Sequence, residues 1–560
     1  MSSPETSSSD TVDDVSDKSK YQPEEWAKMG FTERVDYVCH RYINEGMNYP
    51  IAAYGFHLVK IVLLFFGWVF FCSFTPGLGS LSNISEWAFH PVAFQKAFIW
   101  SLGYEVLGFG CMCGPLGLKL WPPFTACLHY ARPGTTKLPL FEGAPIIGGY
   151  TRTPLDALLY IAYVVSIFVV LIQPEITRTF LAPVIILLPL CALGDRTIFM
   201  SSRGEHHWAI VLTFFLAGNF IAASKWVQLA IWFWAGVSKL TPAFGYVVPI
   251  MTSNNPFLKF PAFRRKLFKN YPDDLSPSML SKIMAHAGTF LELGAPIVLI
   301  FVTQDGPLQW IGVAMFVMLH FFILSNMPIA AVFEWNLLSM YCGFFLFWHH
   351  PDVSLFDVGS PGMALYLLVG CLIVPIVGNF VPKAVSFLLA MRYYAGNWAW
   401  NAWLFHDGSY EKLDKLKRSS KLLFQQQQKL LPEAEAIEGD AGFLAFRALH
   451  LQGRVLGMLL PKTIGDTPFQ EYQYCDGVSV ALATIGWDFG EGHVADEKLI
   501  RAIQSQCDFE EGEVRVISVE AQPLFGHNLH WRINDAKTGL IEEGYVELSE
   551  LAKRKPWDCG

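Results

Sequence analysis

Chemistry in this chain would fall to ionisable side chains that sit inside long apolar runs. A charge in the core of a bilayer is expensive, so each such residue raises a functional expectation. Lys239 closes the run Phe233–Leu240 (FWAGVSKL), directly after small residues that let helices approach closely. Desolvation lowers a lysine's pKa and frees the amine as a base or nucleophile. The bland alternative is a lysine that snorkels to the interface. His320, within Met318-Leu319-His320-Phe321-Phe322, is placed to relay a proton or orient a head group. As a core histidine it would instead bond a carbonyl. Glu292 is the only acid in its run and needs a partner. His286, six residues away, is off its helix face, so Lys239 is the expected cross-helix partner. An ion pair there would keep Lys239 charged and remove it as a resting base. Lys239 and His320 are therefore the catalytic candidates.

Asp195 and Arg196, in Asp195-Arg196-Thr197, follow one apolar run and precede the next. With Glu292 they form the candidate substrate-binding set. A capping aspartate in an interfacial turn is the alternative for Asp195. Glu334 reads as a helix N-terminal acid. His206 and His207 are adjacent and lack metal-ligand spacing. Cys111-x-Cys113 is a faint metal or redox hint, and no Cys-x-x-Cys pair occurs among the 11 cysteines. The glycine-rich stretch 143–153 lacks the order of a phosphate loop. His527, His530 and Trp531 read as ordinary surface. No metal site is expected, and no cofactor can be named.

These residues must be held by apolar elements. Of 560 residues 52% are hydrophobic and only 16% charged, with 45 phenylalanines. That balance excludes a disordered chain, a nucleic-acid binder and a disulfide scaffold. It implies a multi-pass membrane protein. Apolar runs fall at about 51–73, 93–113, 155–172, 179–194, 207–223, 226–238, 284–302, 309–325, 331–349 and 362–380. The segments 74–92, 303–308 and 350–361 contain no Lys or Arg, whereas 239–283 contains 7. The alternation predicts about ten spans with both termini cytoplasmic. Lys225 falls at the opposite face, as an anchor. The polar, acidic residues 1–50 predict no cleavable signal peptide, and the opening MSSPETSSSDTVDDVSDKSK predicts disorder.

The expected architecture is an all-α polytopic helical bundle over 51–405 with a small α+β cytosolic domain over 439–560. The aromatic stretch 385–405 is expected along the interface, and 406–438 as a helical linker. In the soluble domain 495–507 reads as a helix and 513–520 alternates like a half-buried strand. Residues 529–533 and 540–546 read as a hairpin. The domain is acidic and could recruit a cytosolic partner. No internal repeat is visible, which weighs against an inverted-repeat transporter.

Phe233–Leu240 resembles the aromatic-x-Ala-Gly-Val-x-Lys-Leu motif of the vitamin K-dependent γ-carboxylase, one of a group of horizontally transferred transmembrane proteins. Leu319-His320-Phe321 is similar to a later helix of that group, and Asp195-Arg196-Thr197 to its Asp-basic-Ser/Thr turn. The resemblance covers roughly residues 150–350. It implies a base role for Lys239 and a lipid-accessible cavity. Ser238 stands where the carboxylase has a second lysine, and the large lumenal region that grips a protein substrate is missing. Over its full length the chain also resembles an uncharacterised family of large bacterial transmembrane proteins, which implies a bacterial inner membrane.

The leading expectation is a membrane-embedded enzyme or binding protein for a lipid, quinone or other amphipathic small molecule. The alternatives are a flippase for a cell-envelope lipid and a non-catalytic scaffold.

Overall fold

The computed structural model describes residues 17–46, 51–110, 125–255, 257–326 and 332–559. The polar opening through residue 16 and Cys111-x-Cys113 lie outside the described residues. Helices dominate. The main ones are α1 (Phe31–Glu45), α2 (Ile51–Cys72), α3 (Pro91–Val106), α4 (Pro154–Leu171), α5 (Arg178–Gly194), α6 (Phe220–Ser238), α7 (Phe244–Ser253), α8 (Met279–Ile300), α9 (Pro307–Asn326), α10 (Phe333–Gly343) and α11 (Pro361–Phe380).

Local signals start these helices. Thr153 and Asp156 form a capping box at α4, with Pro154 at its first position. Asn219 caps α6 by accepting from the Ile221 and Ala222 amides. On α4 the residues Leu155, Leu158, Ile161, Val165 and Val169 are exposed, while Tyr160, Tyr163, Ile167 and Val170 are buried. Both faces are apolar, and the outward one recurs at helical spacing. That is the pattern of a helix whose solvent is lipid rather than water.

A helix lies in each apolar region read from the sequence, but ten spans are not supported. Among the described residues five helices are long and apolar enough to cross a membrane: α4, α6, α8, α9 and α11. A sixth candidate, Glu433–Leu449 with Gln452–Ile464, is bent by 104°. Length is the reason. A straight span needs about 20 residues, whereas α5 has 17 and α10 has 11 before a π-helix, Phe344–His349, interrupts it. The expected boundary near 224–225 also moves. The break falls at 217–219, where Gly218 backs onto Gly359 so closely that a Cβ would lie 2.9 Å from the Gly359 carbonyl oxygen. Lys225 is consequently buried inside α6, donating to the His350 and Val353 carbonyls at 2.7 Å each.

The two-stranded hairpin of β1 (Phe268–Asn270) and β2 (Asp274–Pro277) precedes α8. The main sheet contains β3 (Trp400–His406), β4 (Tyr472–Asp476), β5 (Val514–Val519), β6 (Asn528–Asp535) and β7 (Gly539–Glu547). Its order is β4-β3-β5-β6-β7, and every pairing is antiparallel. The β6–β7 hairpin turns where the sequence reading puts it. Residues 400–405, expected along the membrane interface, instead form an interior strand buried on both faces. The sheet therefore takes in chain well before residue 439. The N-terminal α1 pairs with the helix Glu433–Leu449, its Arg41 meeting Glu438 at 2.7 Å.

Sheet and bundle meet over a polar seam. The Phe387 amide donates to Glu491 at 2.7 Å, and the Leu524 amide to the Asn379 carbonyl at 2.7 Å. Arg501 pairs with Glu142 at 3.0 Å. These bonds fix the segments of the sheet region that reach the cavity described next.

Candidate functional site

Lys239 lies immediately beyond α6, and its Nζ donates to Glu292 on α8. The helices meet closely because of Gly236, where a Cβ would lie 2.8 Å from the Leu293 side chain. The Glu292 side chain is 5% exposed and that of Lys239 10%. Burial makes each charge depend on the other.

The pair borders a partly open cavity of about 160 Å³ lined in large part by α6, α7, α8, α9 and α10. Ile231, Val247, Val248, Met251 and Ile323 make much of its wall apolar. Phe322 lines it and is also 38% exposed on α9, so the wall there is one side chain thick. An apolar chamber with a few convergent polar groups is the usual form of a small-molecule site.

His320 faces this chamber from α9. Its Nε2 accepts from the Trp232 indole at 2.9 Å, and its Nδ1 donates to Asn336 Oδ1 at 2.7 Å. Asn336 is itself fixed, donating to the Val332 carbonyl at 2.8 Å. The imidazole is thus held neutral in one tautomer. His206 reaches the same cavity, bonded to Gln228 at 3.0 Å. Its neighbour His207 is buried against Phe98 and does not line the chamber.

Arg203 is the cation that sequence reasoning missed. It has a left-handed backbone (φ 53°) and directly precedes a π-helix, Gly204–Trp208. Its guanidinium lies 3.3 Å from the centre of the Trp335 ring. Nε donates to Glu205 at 2.6 Å and Nη2 to the Tyr393 hydroxyl at 3.1 Å. Tyr393 in turn donates to Glu205 at 2.9 Å. Tyr393 and Tyr394 come from the segment before β3, and Phe489 from the C-terminal sheet region. The bundle alone does not complete the chamber.

Asp195 and Arg196 are not brought to it. Asp195 caps the helix Arg196–Ser201 through the Thr197 amide and accepts from Arg152 at 2.5 Å. Arg196 donates to the His493 carbonyl at 2.5 Å, across the seam. Glu334 pairs with Lys60 at 2.8 Å. Of the five residues singled out from sequence, Lys239, Glu292 and His320 share the cavity, while Asp195 is held within the bundle by Arg152 and Arg196 lies at the seam. No group of three or more His, Cys, Asp or Glu side chains that could hold a metal occurs among the described residues.

Over residues 15–560 the chain matches a family described as "Transmembrane protein of unknown function (DUF3556)". It belongs to that family. Comparison with curated proteins and with solved structures finds no match. Family membership accords with the lipid-type surface of α4 and sets the bundle in a bilayer. It assigns no chemistry to the DUF3556 cavity.

Proposed function

We propose that this DUF3556 protein binds an amphipathic small molecule, a lipid or quinone, inside its bundle and acts on it through Lys239. The observation that carries the reading is the chamber itself. It is apolar over most of its wall, close to the lipid face at Phe322, and polar where Lys239, Glu292 and His320 converge. The polar part suits a head group, and a tail would start along the apolar wall and leave past Phe322 toward the lipid.

In this reading Lys239 rests as an ammonium beside Glu292. A ligand that fills the chamber excludes water, which disfavours the separated charges. The proton then passes from Lys239 to Glu292, leaving a neutral amine and a neutral acid. The amine takes a proton from the ligand. His320, with both nitrogens engaged, orients the site through Trp232 and Asn336 rather than exchanging protons at rest. The likeness of Phe233–Leu240 to the carboxylase motif supports a base role for Lys239. We place the Lys/Arg-rich segment 239–283 on the cytoplasmic side of the membrane.

The test is purification in lipid nanodiscs with mass spectrometry of retained small molecules. Wild type is compared with Lys239→Met/Glu292→Leu, which removes the pair without stranding a charge. The expected result is an enriched amphiphile in wild type that the double variant loses. Bulk lipid alone in both samples would sink the reading.

A further inference from the structure

We infer that residues 257–283 form a docking surface for the head groups of anionic phospholipids, held by Lys259, Lys266 and Lys282. The surface is separate from the chamber and does not depend on what the chamber binds.

The ends of three helices meet here. α7 stops at Ser253, α8 begins at Met279 and α9 stops at Asn326. The Asn255 side chain donates to Asn326 Oδ1 at 3.0 Å, joining the end of α9 to the chain that follows α7. The Leu267 carbonyl accepts from the Ser278 amide at 2.9 Å and from the Ser281 hydroxyl at 2.6 Å. The short helix Pro261–Lys266 is thereby tied to the first turn of α8. Lys266 and Lys282 each lie one residue from that junction. Arg264 Nε donates to the Leu258 carbonyl at 2.9 Å, which holds the chain around Lys259 to the same short helix.

α8 sets the level of the bilayer. Its exposed Met279, Ile283, Phe290 and Ile297 recur at helical spacing as a lipid-facing stripe. Its 22 residues reach about 33 Å, the thickness of a hydrocarbon core, so its first turn lies at the edge of that core. Met279, at the head of the stripe, is 71% exposed, and in the same segment Phe257 is 78% exposed and Phe260 66%. Water would leave such rings bare, whereas the outer layer of a bilayer covers them.

Charge selects the lipid. The segment carries six Lys/Arg against two Asp. Lys259, Lys266 and Lys282 are exposed, and among the described residues none of the three meets a carboxylate. Lys269 differs, since it pairs with Asp274 at 3.2 Å. Arg264 and Arg265 are turned to Asn44, at 3.2 and 2.7 Å. Three ammonium groups without a counter-charge, beside apolar side chains at head-group depth, fit a phosphodiester whose acyl chains enter the bilayer. A zwitterionic lipid brings its own cation and gains little from them. An acidic protein would match the lysines but not the exposed rings.

The test is native mass spectrometry of the full chain released from nanodiscs of equimolar phosphatidylglycerol and phosphatidylcholine, counting the lipids it keeps. Wild type should keep phosphatidylglycerol in preference. Lys259→Gln/Lys266→Gln/Lys282→Gln should lower that preference by about tenfold or more. Lys239→Met/Glu292→Leu, which removes the ion pair of the chamber, should leave it unchanged. Equal retention of both lipids by wild type would overturn the inference and leave the lysines to an acidic protein. A triple variant that keeps the wild-type preference would overturn it too, and loss of the preference in the chamber variant would assign it to the chamber instead. In an uncharged detergent phosphatidylglycerol should raise the thermal midpoint of wild type, and inorganic phosphate should not. An equal rise with phosphate would mark a site for a soluble anion and refute the lipid docking. Where the triple variant proves unstable, this comparison carries the test.

Discussion

The Trp232 indole donates to His320 Nε2 at 2.9 Å, and this one bond sets the protonation of the whole imidazole. An indole N–H has no acceptor capacity, so Nε2 carries no proton. The proton is on Nδ1, shared with Asn336. Solid-state ¹⁵N NMR of wild type should show one protonated and one bare imidazole nitrogen for His320. Trp232→Phe removes the donor while keeping a ring against Phe316, on which the indole stacks at 5.4 Å. The proton should stay on Nδ1, where Asn336 still accepts it, and the fold should lose about 1–3 kcal/mol, the cost of leaving Nε2 unsatisfied. A wild-type spectrum with both nitrogens protonated would refute this account.

Lys239 and Glu292 should behave as a coupled pair. Lys239→Met alone strands a buried carboxylate and should cost about 3–5 kcal/mol. Lys239→Met/Glu292→Leu should recover most of that loss, because two apolar side chains replace two desolvated charges. A double-mutant cycle on thermal or denaturant unfolding measures the coupling. Additive costs would mean that the contact contributes nothing. The simple Lys239→Ala variant is the poorer probe of function, since a fault in folding and a fault in chemistry would look alike.

Gly236 on α6 and Gly288 on α8 have opposite surroundings and should respond oppositely. A Cβ at Gly236 would meet Leu293, including its backbone nitrogen at 3.1 Å, which cannot move aside. Gly236→Ala should therefore destabilise by about 1–3 kcal/mol. A Cβ at Gly288 would meet nothing within 4 Å. Gly288→Ala should stabilise α8 by up to about 1 kcal/mol, through helix propensity. Thermal midpoints in one detergent would check both, and matching shifts would contradict the close approach at Gly236.

Lys239 and Glu292 were legible in the sequence because each is alone in its apolar run. Glu292 also had no well-aligned partner within its own helix. Arg203 was not legible. It belongs to no periodic pattern, and nothing in Ser202-Arg203-Gly204 announces a left-handed turn under a tryptophan. Asp195 and Arg196 looked like site residues from sequence, as polar residues between apolar runs, yet Asp195 is committed to a helix cap and to Arg152, and Arg196 to the seam. The strand Trp400–His406 was misplaced for a definite reason. Tryptophan is enriched at membrane interfaces, and a strand buried on both faces loses the alternation that would reveal it. The span count failed similarly, because hydropathy registers apolar residues but not the Gly218–Gly359 contact or the π-helix that shorten helices.

His493 makes the seam sensitive to alkali. Its Nδ1 lies 2.7 Å from Glu491 and its Nε2 2.9 Å from Glu520, while its carbonyl accepts from Arg196. Burial pushes the imidazole pKa down, but the Glu491 and Glu520 carboxylates outweigh it and raise the value to about 10. A histidine unfolded in water titrates near 6.5. The folded state thus binds a proton more tightly than the unfolded one. The resulting stability is fully present below about pH 6.5 and is lost progressively as pH rises through about 10. Hydrogen exchange at 491–494 should accelerate over that window in wild type. His493→Gln, which cannot be protonated there, should flatten the response and weaken the seam at neutral pH. Because Phe489 reaches the cavity from the same loop, ligand retention should fall over the same window. A flat wild-type profile between neutrality and pH 10 would show that the two carboxylates do not hold the proton.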